Sequence, residues 1–344
     1  MTEIVIWAQS VCRSTMDLYR EVKRLRDDVG VTVVLRRDGR GEDVRKLREA
    51  QGQGDYSDVV DRVWDGKVKS GIEFLDLGAV HVFSGYQSCR AVRELMVEAK
   101  RRALRVVEYD EAPCEMCLGV KGALKRLYYA MILPMRVRRA VKAADLFISA
   151  SGNMGMDRLV RLGWKREAIV PFGYASGSLA VSGQRLAVEG RGLRVLHTGI
   201  EAKYRGADVL RRAAASLKGR GVELEVKFTG GKIDVAQLPG LYEWADVVVA
   251  CGLCEPWGMR VNDVLLEGLP VVVSDGMGAA MLCDEFGCGC VVPKGDANAL
   301  ATVLERCAND REFLAHLRSG AKRAAAEIAP EKRAKVWLNK VLGE

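Results

Sequence analysis

Short apolar runs rich in β-branched residues alternate with helical segments along almost all of this 344-residue chain. Such alternation is typical of βαβ units, in which helices cover a parallel sheet. The first series predicts strands near 3–8, 31–36, 79–84, 104–109, 145–150 and 167–171, with helices near 14–28, 87–102, 121–143 and 154–162. The sequence therefore predicts an α/β protein.

A turn-rich stretch from Pro171 to Ser178 interrupts this alternation. A second series follows, with strands predicted near 193–198, 223–229, 246–250 and 270–274. Its helices are predicted near 206–219, 237–244, 259–267, 296–308, 310–326 and 331–342. We expect two Rossmann-like domains, residues 1–177 and 178–329, each long enough to bury its own core.

One motif lies in the second series, from Glu255 to Asp263, and reads Glu-Pro-Trp-Gly-Met-Arg-Val-Asn-Asp. Gly258 precedes a predicted helix, and the free N–H groups and dipole at a helix start favour an anionic ligand. The two acids that flank this helix start are acceptors for hydrogen bonds from hydroxyls. A phosphate-binding helix end between two carboxylates suits a nucleotide sugar.

This motif, continued by Gly268-Leu-Pro-Val-Val-Val-Ser-Asp275, resembles the donor-site motif of family 4 glycosyltransferases, which have the GT-B fold. The acid-x7-acid signature of that family appears as Glu255 and Asp263, with Asp replacing the usual second Glu. The resemblance covers most of the chain and is strongest from about 193 to 327. It implies two Rossmann-like domains facing a central cleft, with a C-terminal helix, 330–344, that crosses back to the N-terminal domain.

The resemblance also implies roles for the residues of the motif. Glu255 is expected to bind sugar hydroxyls, and Asp263 is expected to bind ribose hydroxyls. The backbone N–H groups of Trp257, Gly258 and Met259 are expected to bind a sugar oxygen and phosphate. Replacement of Glu255 by alanine is expected to abolish transfer and to leave the fold intact.

A phosphate clamp is implied near the strand that ends at Gly199. Family members often carry an arginine directly after this glycine and a lysine before the next glycine, and both neutralise the donor diphosphate. Here the two positions are Ile200 and Arg205, with Lys203 nearby. A diphosphate needs cationic donors, so Arg205 and Lys203 are the candidates, and Arg205 is expected to stabilise the leaving group.

The Gly-rich turn after the strand at 223–229 is shorter, by one helix and one strand, than its counterpart in the family. The residues expected to lie against the nucleotide base are Gly231, Lys232 and Ile233. A glycine pair is otherwise an ordinary turn signal.

Acceptor-side residues are predicted after the N-terminal strands: Gln9, Ser10, Arg13, His81, Asp110 and Glu111. The segments 80–86 and 107–113 resemble parts of bacterial surface-polysaccharide glycosyltransferases. Many family members place a histidine where this chain has Asp110 and Glu111. Glu111 is expected to steer or deprotonate the acceptor hydroxyl, or to bind sugar. Packing is the more frequent role of a strand-end histidine such as His81.

Ten cysteines include Cys-x2-Cys pairs at 114–117 and 251–254 and a cluster at 283, 288 and 290. This is the inner spacing of zinc pairs, but the pairs lie far apart and the chain has only three histidines. Reduced thiols used as small apolar residues are the favoured interpretation. No Asp-x-Asp metal motif is evident, so neither a metal nor another cofactor is predicted.

The net charge of +8 is unevenly distributed. Residues 121–142 combine basic and apolar side chains and are interrupted by Pro134. Such a segment suits an anionic membrane surface and an acceptor that carries a lipid, and it equally suits a solvated helix whose apolar face packs on the sheet. No nucleic-acid-binding motif accompanies the charge.

Neither a signal sequence nor a run of ~20 apolar residues is found. A cytoplasmic protein, peripheral on the inner face of the plasma membrane, is predicted.

The resemblance implies a retaining, metal-independent, hexosyltransferase-type glycosyltransferase with a UDP- or GDP-linked donor. The predicted partners are this nucleotide sugar and a glycan or lipid-linked glycan acceptor in bacterial surface polysaccharide synthesis. Two alternatives stay open: another GT-B activity such as a nucleotide-sugar epimerase, and a catalytically silent GT-B protein that binds a nucleotide. Free nucleotide plus a longer glycan as products would distinguish transfer from epimerisation.

Overall fold

The computed structural model describes residues 2–37, 56–114, 119–175, 192–199, 203–230 and 237–344. These residues form two compact units. The first contains the described residues up to Ala175 together with Pro330–Glu344, and the second contains those from 192 to Ala329. The boundary predicted at 177–178 lies outside the described residues.

The first unit contains, within the described residues, seven strands: β1 (Thr2–Ala8), β2 (Val29–Arg36), β3 (Arg62–Trp64), β4 (Val80–Phe83), β5 (Arg105–Asp110), β6 (Leu146–Ser149) and β7 (Ile169–Pro171). They form one parallel sheet in the order β3-β2-β1-β4-β5-β6-β7. Ile4 and Ile6 belong to the core on one face of this sheet and Val5 to the core on the other. Burial on both faces is typical of parallel strands covered by helices.

The helices of the first unit are α1 (Arg13–Leu25), α2 (Val68–Ile72), α3 (Arg90–Arg101), α4 (Gly119–Leu127), α5 (Leu133–Ala143) and α6 (Met156–Arg161). A π-helical turn, Tyr128–Ile132, divides the single helix predicted at 121–143, and Pro134 lies in the first turn of α5. Proline lacks a backbone N–H, and the first helical turn is where that loss is tolerated. β3 and α2 were not predicted, because three to five residues carry too little periodicity.

The second unit has, among its described residues, the strands β8 (Leu193–His197), β9 (Leu224–Phe228), β10 (Val247–Ala250), β11 (Val271–Ser274) and β12 (Gly289–Val292). They form a parallel sheet in the order β12-β11-β10-β8-β9. From β8 the chain passes to β9 on one side and then to β10 on the other side. This reversal is a topological switch point, where open α/β sheets bind ligands beyond the carboxyl ends of their strands.

The helices of the second unit are α7 (Ala207–Gly219), α8 (Leu238–Trp244), α9 (Met259–Leu266), α10 (Met281–Phe286), α11 (Ala297–Asn309) and α12 (Arg311–Ile328). The helix predicted to open after Ser274–Ala279 is α10, whereas the strand β12 after it was not predicted. This strand is short, and the Gly-Cys-Gly-Cys run at 287–290 lacks a strand pattern.

The C-terminal helix α13 (Pro330–Leu342) belongs to the first unit and packs on α1. Trp337 is fully buried, with its ring centroid 5.9 Å from that of Tyr19 and 6.1 Å from that of Tyr109. Arg105 Nε donates a hydrogen bond to Val341 O at 2.8 Å. The helix predicted to return to the N-terminal domain does so.

Candidate functional site

Polar side chains of the second unit gather after β8 and β10, the two strands that flank the switch point. Gly199 follows β8, and the next described residues, Lys203–Arg205, form a 3-10 turn before α7. Glu255 follows β10. The backbone N–H of Leu253 donates to Tyr204 O at 2.7 Å and joins the two connections. The turn that carries Arg205 is thereby fixed against the segment that carries Glu255.

Glu255 is held at this edge by its backbone. Its N–H donates to Gly276 O at 2.8 Å, and its carbonyl accepts from Gly278 N at 3.3 Å. It also forms an isolated parallel bridge with Met277, beyond the end of β11. The residue is only 7% exposed. The backbone of Glu255 is therefore held in place, and its carboxylate lies in a position from which most water is excluded.

Two arginines from different elements bind this carboxylate. Arg205 Nη1 donates to Glu255 Oε1. Arg260, in the first turn of α9, donates from Nη2 to Glu255 Oε2 at 2.7 Å and from Nη1 to Thr198 O. Two cations and one anion leave this cluster with a net positive charge. Because the cluster is largely buried, solvent ions screen that charge less than at the surface, and the cluster favours an anionic ligand.

His197 ends β8, and its Nε2 lies 3.3 Å from Arg205 O. Burial, followed by the charge of Arg260, lowers the pKa of His197 to about 4. The imidazole is therefore neutral at physiological pH. It adds no charge to the cluster, and its N–H is suited to fix the carbonyl of Arg205.

Helix α9 starts directly after Gly258, whose φ of +104° lies in the left-handed region. A Cβ at this position would also lie 2.3 Å from Met277 Cε. Trp257 is fully buried, and its Nε1 donates to Asn262 Oδ1 at 2.8 Å. The indole ring therefore anchors the turn in the core. The backbone of residues 257–259 is the part of the turn suited to an anion.

The other predicted donor residues lie in several elements of the second unit. Met259 and Asp263 are both in α9 and are partly buried. Gly199 has a φ of +120°, and its N–H donates to Thr229 Oγ1 at 2.9 Å. Lys203 opens the 3-10 turn. Three residues of the predicted site, Gly231, Lys232 and Ile233, lie outside the described residues, as does Ile200, at the position that lacks the family's arginine.

Two predicted acceptor-side carboxyl groups lie at the end of β5 in the first unit. Asp110 Oδ2 accepts from Gly85 N at 3.1 Å, and its Oδ1 accepts from Glu111 N at 2.7 Å. Burial raises the pKa of Asp110 to about 7. Glu111 is partly buried, and its Oε1 accepts from Tyr174 Oη at 3.2 Å. This edge therefore carries adjacent carboxyl groups, one of which exchanges its proton near neutral pH.

Gln9, Ser10 and Arg13 lie in and just after the connection from β1 to α1. Gln9 Oε1 accepts from Arg36 Nη1 at 3.0 Å, and a Cβ on Gly85 would lie 2.6 Å from Gln9 Cγ. Ser10 is exposed, and Arg13 is the first residue of α1. Gln9 thus lies against the same turn that binds Asp110.

His81 lies apart from this edge, in the middle of β4. It is fully buried, its Nδ1 accepts from Trp7 Nε1 at 3.1 Å, and its Nε2 lies 3.0 Å from Gly78 O. Burial lowers the pKa of His81 to about 4. A neutral ring with both nitrogens bonded is a packing residue. This environment favours the packing role of His81, and its assignment to the acceptor side stays a prediction.

In the described ranges, no group of three or more His, Cys, Asp or Glu side chains is arranged to hold a metal ion. Within the described residues, no disulfide joins Cys114, Cys251, Cys254, Cys283, Cys288 or Cys290. Burial raises the pKa of Cys251 to about 11, so its thiol is protonated at neutral pH. Cys117, the second member of the first predicted pair, lies outside the described residues.

Comparison with known proteins assigns the segment that holds this cluster. Residues 184–310 match the family model for glycosyl transferases group 1. The match covers this segment and not the whole chain. The group 1 segment contains Arg205, Glu255 and Arg260 as well as Asp263. Comparison with curated proteins gives no match to the chain.

Solved structures resemble the chain over its whole length. HepE from Anabaena in complex with UDP is 17% identical, with 99% of this chain and 100% of that chain covered and a TM-score of 0.68. A glycosyltransferase from Rickettsia africae is 12% identical, with 99% and 98% covered and a TM-score of 0.68. The lipopolysaccharide outer core galactosyltransferase WaaB in its apo form is 10% identical, with 99% of each chain covered and a TM-score of 0.68. The predicted GT-B fold is confirmed, and the assignment to family 4 stays a prediction.

Sequence reasoning missed Arg260, the residue of the group 1 segment that joins Glu255 to the end of β8. Its neighbours Val261, Val264 and Leu265 form the buried stripe of α9, and nothing in that spacing marks residue 260. Glu108 was also missed. It is fully buried in β5 and accepts from Tyr86 N at 3.3 Å. An acid within the apolar run of a buried strand was the available signal.

Proposed function

We propose that this protein is a retaining glycosyltransferase that moves a sugar from a nucleotide-diphosphate sugar to a glycan acceptor. The observation that carries the proposal is the buried Arg205–Glu255–Arg260 cluster at the switch point of a group 1 segment. Its net positive charge complements a diphosphate. Glu255 accepts hydrogen bonds from the sugar hydroxyls, and Asp263 accepts those from the ribose.

In the proposed reaction, the bond between the anomeric carbon and the diphosphate oxygen breaks, and a bond from that carbon to the acceptor oxygen forms on the same face of the sugar. The electron pair of the broken bond stays on the diphosphate. The acceptor proton passes to that diphosphate. The arginine cluster stabilises the charge on the leaving group, and the proposed reaction is metal-independent.

The proposed donor carries uracil or guanine. A UDP-linked sugar is the first to test, because the HepE structures contain UDP, UDP with glucose, and UDP-glucose. Hexoses are the proposed transferred sugars.

The first experiment measures thermal unfolding of the full chain with a panel of UDP- and GDP-sugars, with and without EDTA. A ligand at ~100 times its Kd stabilises the folded state by about 2.7 kcal/mol, which corresponds to a rise in Tm of roughly 4 °C for a chain of this length. We expect one nucleotide class to give this shift and EDTA to leave it unchanged. Absence of any shift would contradict the donor site, and loss of the shift in EDTA would contradict metal independence.

The second experiment identifies the products. Incubation with the stabilising nucleotide sugar and a panel of glycan acceptors is expected to release free nucleoside diphosphate and a longer glycan. NMR of the new linkage is expected to show the anomeric configuration of the donor, and the opposite configuration would contradict retention. Conversion of the donor sugar without glycan extension would indicate epimerisation. Binding without turnover would indicate a silent nucleotide-binding protein.

The proposed acceptor is a lipid-linked surface glycan, reached from an anionic membrane surface. No helix within the described ranges is both long and apolar enough to cross a bilayer. The helices α4 and α5 and the π-helical turn between them instead expose large apolar side chains: Val120, Leu124, Leu127, Met131, Ile132 and Met135. These alternate with basic residues, namely Lys121, Lys125, Arg126, Arg136, Arg138, Arg139 and Lys142. Apolar and basic groups on one segment suit binding in the plane of an anionic interface.

A groove of about 560 Å³ lies beside this segment, between α2, α3 and α5. It is lined by five arginines and two glutamates: Arg90, Arg93, Arg101, Arg136, Arg139, Glu94 and Glu98. The excess positive charge extends the basic surface of α5 and supports an anionic partner.

Vesicle sedimentation tests this part of the proposal. We expect the full chain to bind vesicles with anionic lipid and not neutral ones, with weaker binding in high salt. The triple variant Leu124→Gln, Met131→Gln and Met135→Gln is expected to lose binding. The matched control changes three exposed apolar residues elsewhere in the first unit, Leu77, Val160 and Val336. Equal binding by both triple variants would contradict the membrane surface.

A further inference from the structure

Arg260 lies against the end of β8, where the phosphate-binding arginine of the resembling family would follow the strand. Its Nη1 donates to Thr198 O. A Cβ built on Gly199 would lie 2.7 Å from the same Nη1. The guanidinium thus packs against the residue that precedes position 200, and this chain has isoleucine at that position.

The guanidinium of Arg260 is held in place by two hydrogen bonds, which do not use all of its N–H groups. Of the five N–H groups of an arginine, the Glu255 and Thr198 bonds use one on each terminal nitrogen. Nε of Arg260 is buried without a hydrogen-bond partner in the protein, as is Nε of Arg205. A buried donor without an acceptor costs stability, and an anionic ligand that reaches it removes that cost.

The three charged side chains of this cluster come from three different elements. Arg205 comes from the turn before α7, Glu255 from the segment after β10, and Arg260 itself from α9. His197 at the end of β8 is neutral. The side chains of Arg260 and Glu255 are 10% and 9% exposed, so the geometry of this pair is set by packing.

We propose that Arg260 supplies the cation that position 200 lacks and binds the diphosphate of the donor together with Arg205. This inference rests on the proposed function. Glu255 holds both guanidinium groups in place, and their remaining N–H groups face the diphosphate. When the anomeric carbon–oxygen bond breaks, the electron pair moves onto the diphosphate and the two guanidinium groups stabilise it. A diphosphate is the ligand because its charge matches two cations.

The test compares affinities for the nucleoside, its monophosphate and its diphosphate, with the base series that stabilises the wild-type chain. In Arg260→Gln we expect the diphosphate to bind about 10- to 100-fold more weakly, the range for loss of a charge-assisted hydrogen bond. Nucleoside affinity is expected to change less than about twofold. Arg212→Gln, on the exposed face of α7, is the control and is expected to leave all affinities unchanged.

A second variant separates diphosphate binding from a structural role. Arg260→Lys keeps the charge and is expected to lie between wild type and Arg260→Gln. Equal loss of nucleoside and diphosphate affinity in Arg260→Gln, with no rescue in Arg260→Lys, would assign Arg260 a purely structural role and overturn the inference.

Failure of the two proposals is distinguishable. A wild-type chain that binds no nucleotide removes the proposed function, and the role of Arg260 with it. A wild-type chain that binds the diphosphate, with unchanged affinity in Arg260→Gln, overturns only the role of Arg260.

Discussion

Glu255 and Arg260 form an ion pair in which Oε2 and Nη2 lie 2.7 Å apart. They are separated by a single turn that contains Gly258, and the second guanidinium, that of Arg205, approaches the carboxylate from the connection after β8. The carboxylate expected to meet sugar hydroxyls is therefore also the anion that holds two buried cations. Its replacement affects stability as well as binding.

Glu255→Ala is expected to lower the free energy of unfolding of the second unit by about 3 kcal/mol, because removal of one partner leaves buried charges unpaired. This revises the expectation that the substitution leaves the fold intact. Glu225→Ala, at an exposed position on β9, is the control and is expected to stay within about 0.5 kcal/mol of wild type. Urea unfolding measures both, and equal stability of the two variants would contradict the burial of the pair.

Gly206 and Gly221 allow a matched test of backbone crowding. Their φ angles are +74° and +75°, so alanine carries a similar left-handed penalty of about 1–2 kcal/mol at each. A Cβ at Gly206 would also lie 1.9 Å from Cys251 O, whereas nothing lies within 4 Å at Gly221. We expect Gly206→Ala to be destabilised by more than twice as much as Gly221→Ala. Similar unfolding midpoints would show that the turn before α7 relaxes freely.

Glu108 predicts a pH dependence of stability. Burial, reinforced by Asp110, raises its pKa well above the ordinary value. The unfolded chain loses this proton near pH ~4 while the folded chain keeps it, so the stability contribution falls as pH rises above that value. Glu108→Gln removes this titration. We expect the variant to gain more than about 1 kcal/mol relative to wild type between pH 4 and pH 8. A pH-independent difference in unfolding free energy would contradict the raised pKa.

Trp337 and Val336 are adjacent in α13 and differ in burial. Trp337 is fully buried between Tyr19 and Tyr109, whereas Val336 is 44% exposed. Trp337→Ala is expected to cost about 3–5 kcal/mol, and Val336→Ala less than about 0.5 kcal/mol. Hydrogen exchange of α1 is expected to rise in the first variant only. Unchanged protection of α1 would show that the C-terminal helix contributes little to the first unit.

Most strands and helices of the two alternating series were predictable because the residue patterns that indicate them lie within continuous stretches of the chain. The runs that became β1, β10 and β11 are continuous and rich in β-branched residues, and the strands they form are buried on both faces. The missed elements β3, β12 and α2 are three to five residues long. Such short elements are stabilised by contacts with neighbouring strands and helices. Those neighbours are distant in sequence, so the local residue pattern does not reveal them.

The residues of the candidate site also divide into those predictable from local sequence and those that required the tertiary structure. Glu255, Gly258 and Asp263 were found because they share one short motif, and Arg205 because it directly precedes Gly206, where family members often carry a lysine. Arg260 and Glu108 required the tertiary structure, since their partners are distant in sequence: Thr198 lies 62 residues from Arg260, and Tyr86 lies 22 residues from Glu108.

The sequence by itself determined that this chain folds into parallel α/β units and that its acidic motif lies at a helix start, because periodicity, glycine placement and residue spacing are properties of neighbours along the chain. Only the tertiary structure decided the charge of the site. It packed Arg260 against the end of β8 and Arg205 against Glu255, and it buried His81 in the first sheet. Charge and burial depend on which distant residues exclude water from one another, and that is a property of the packed fold.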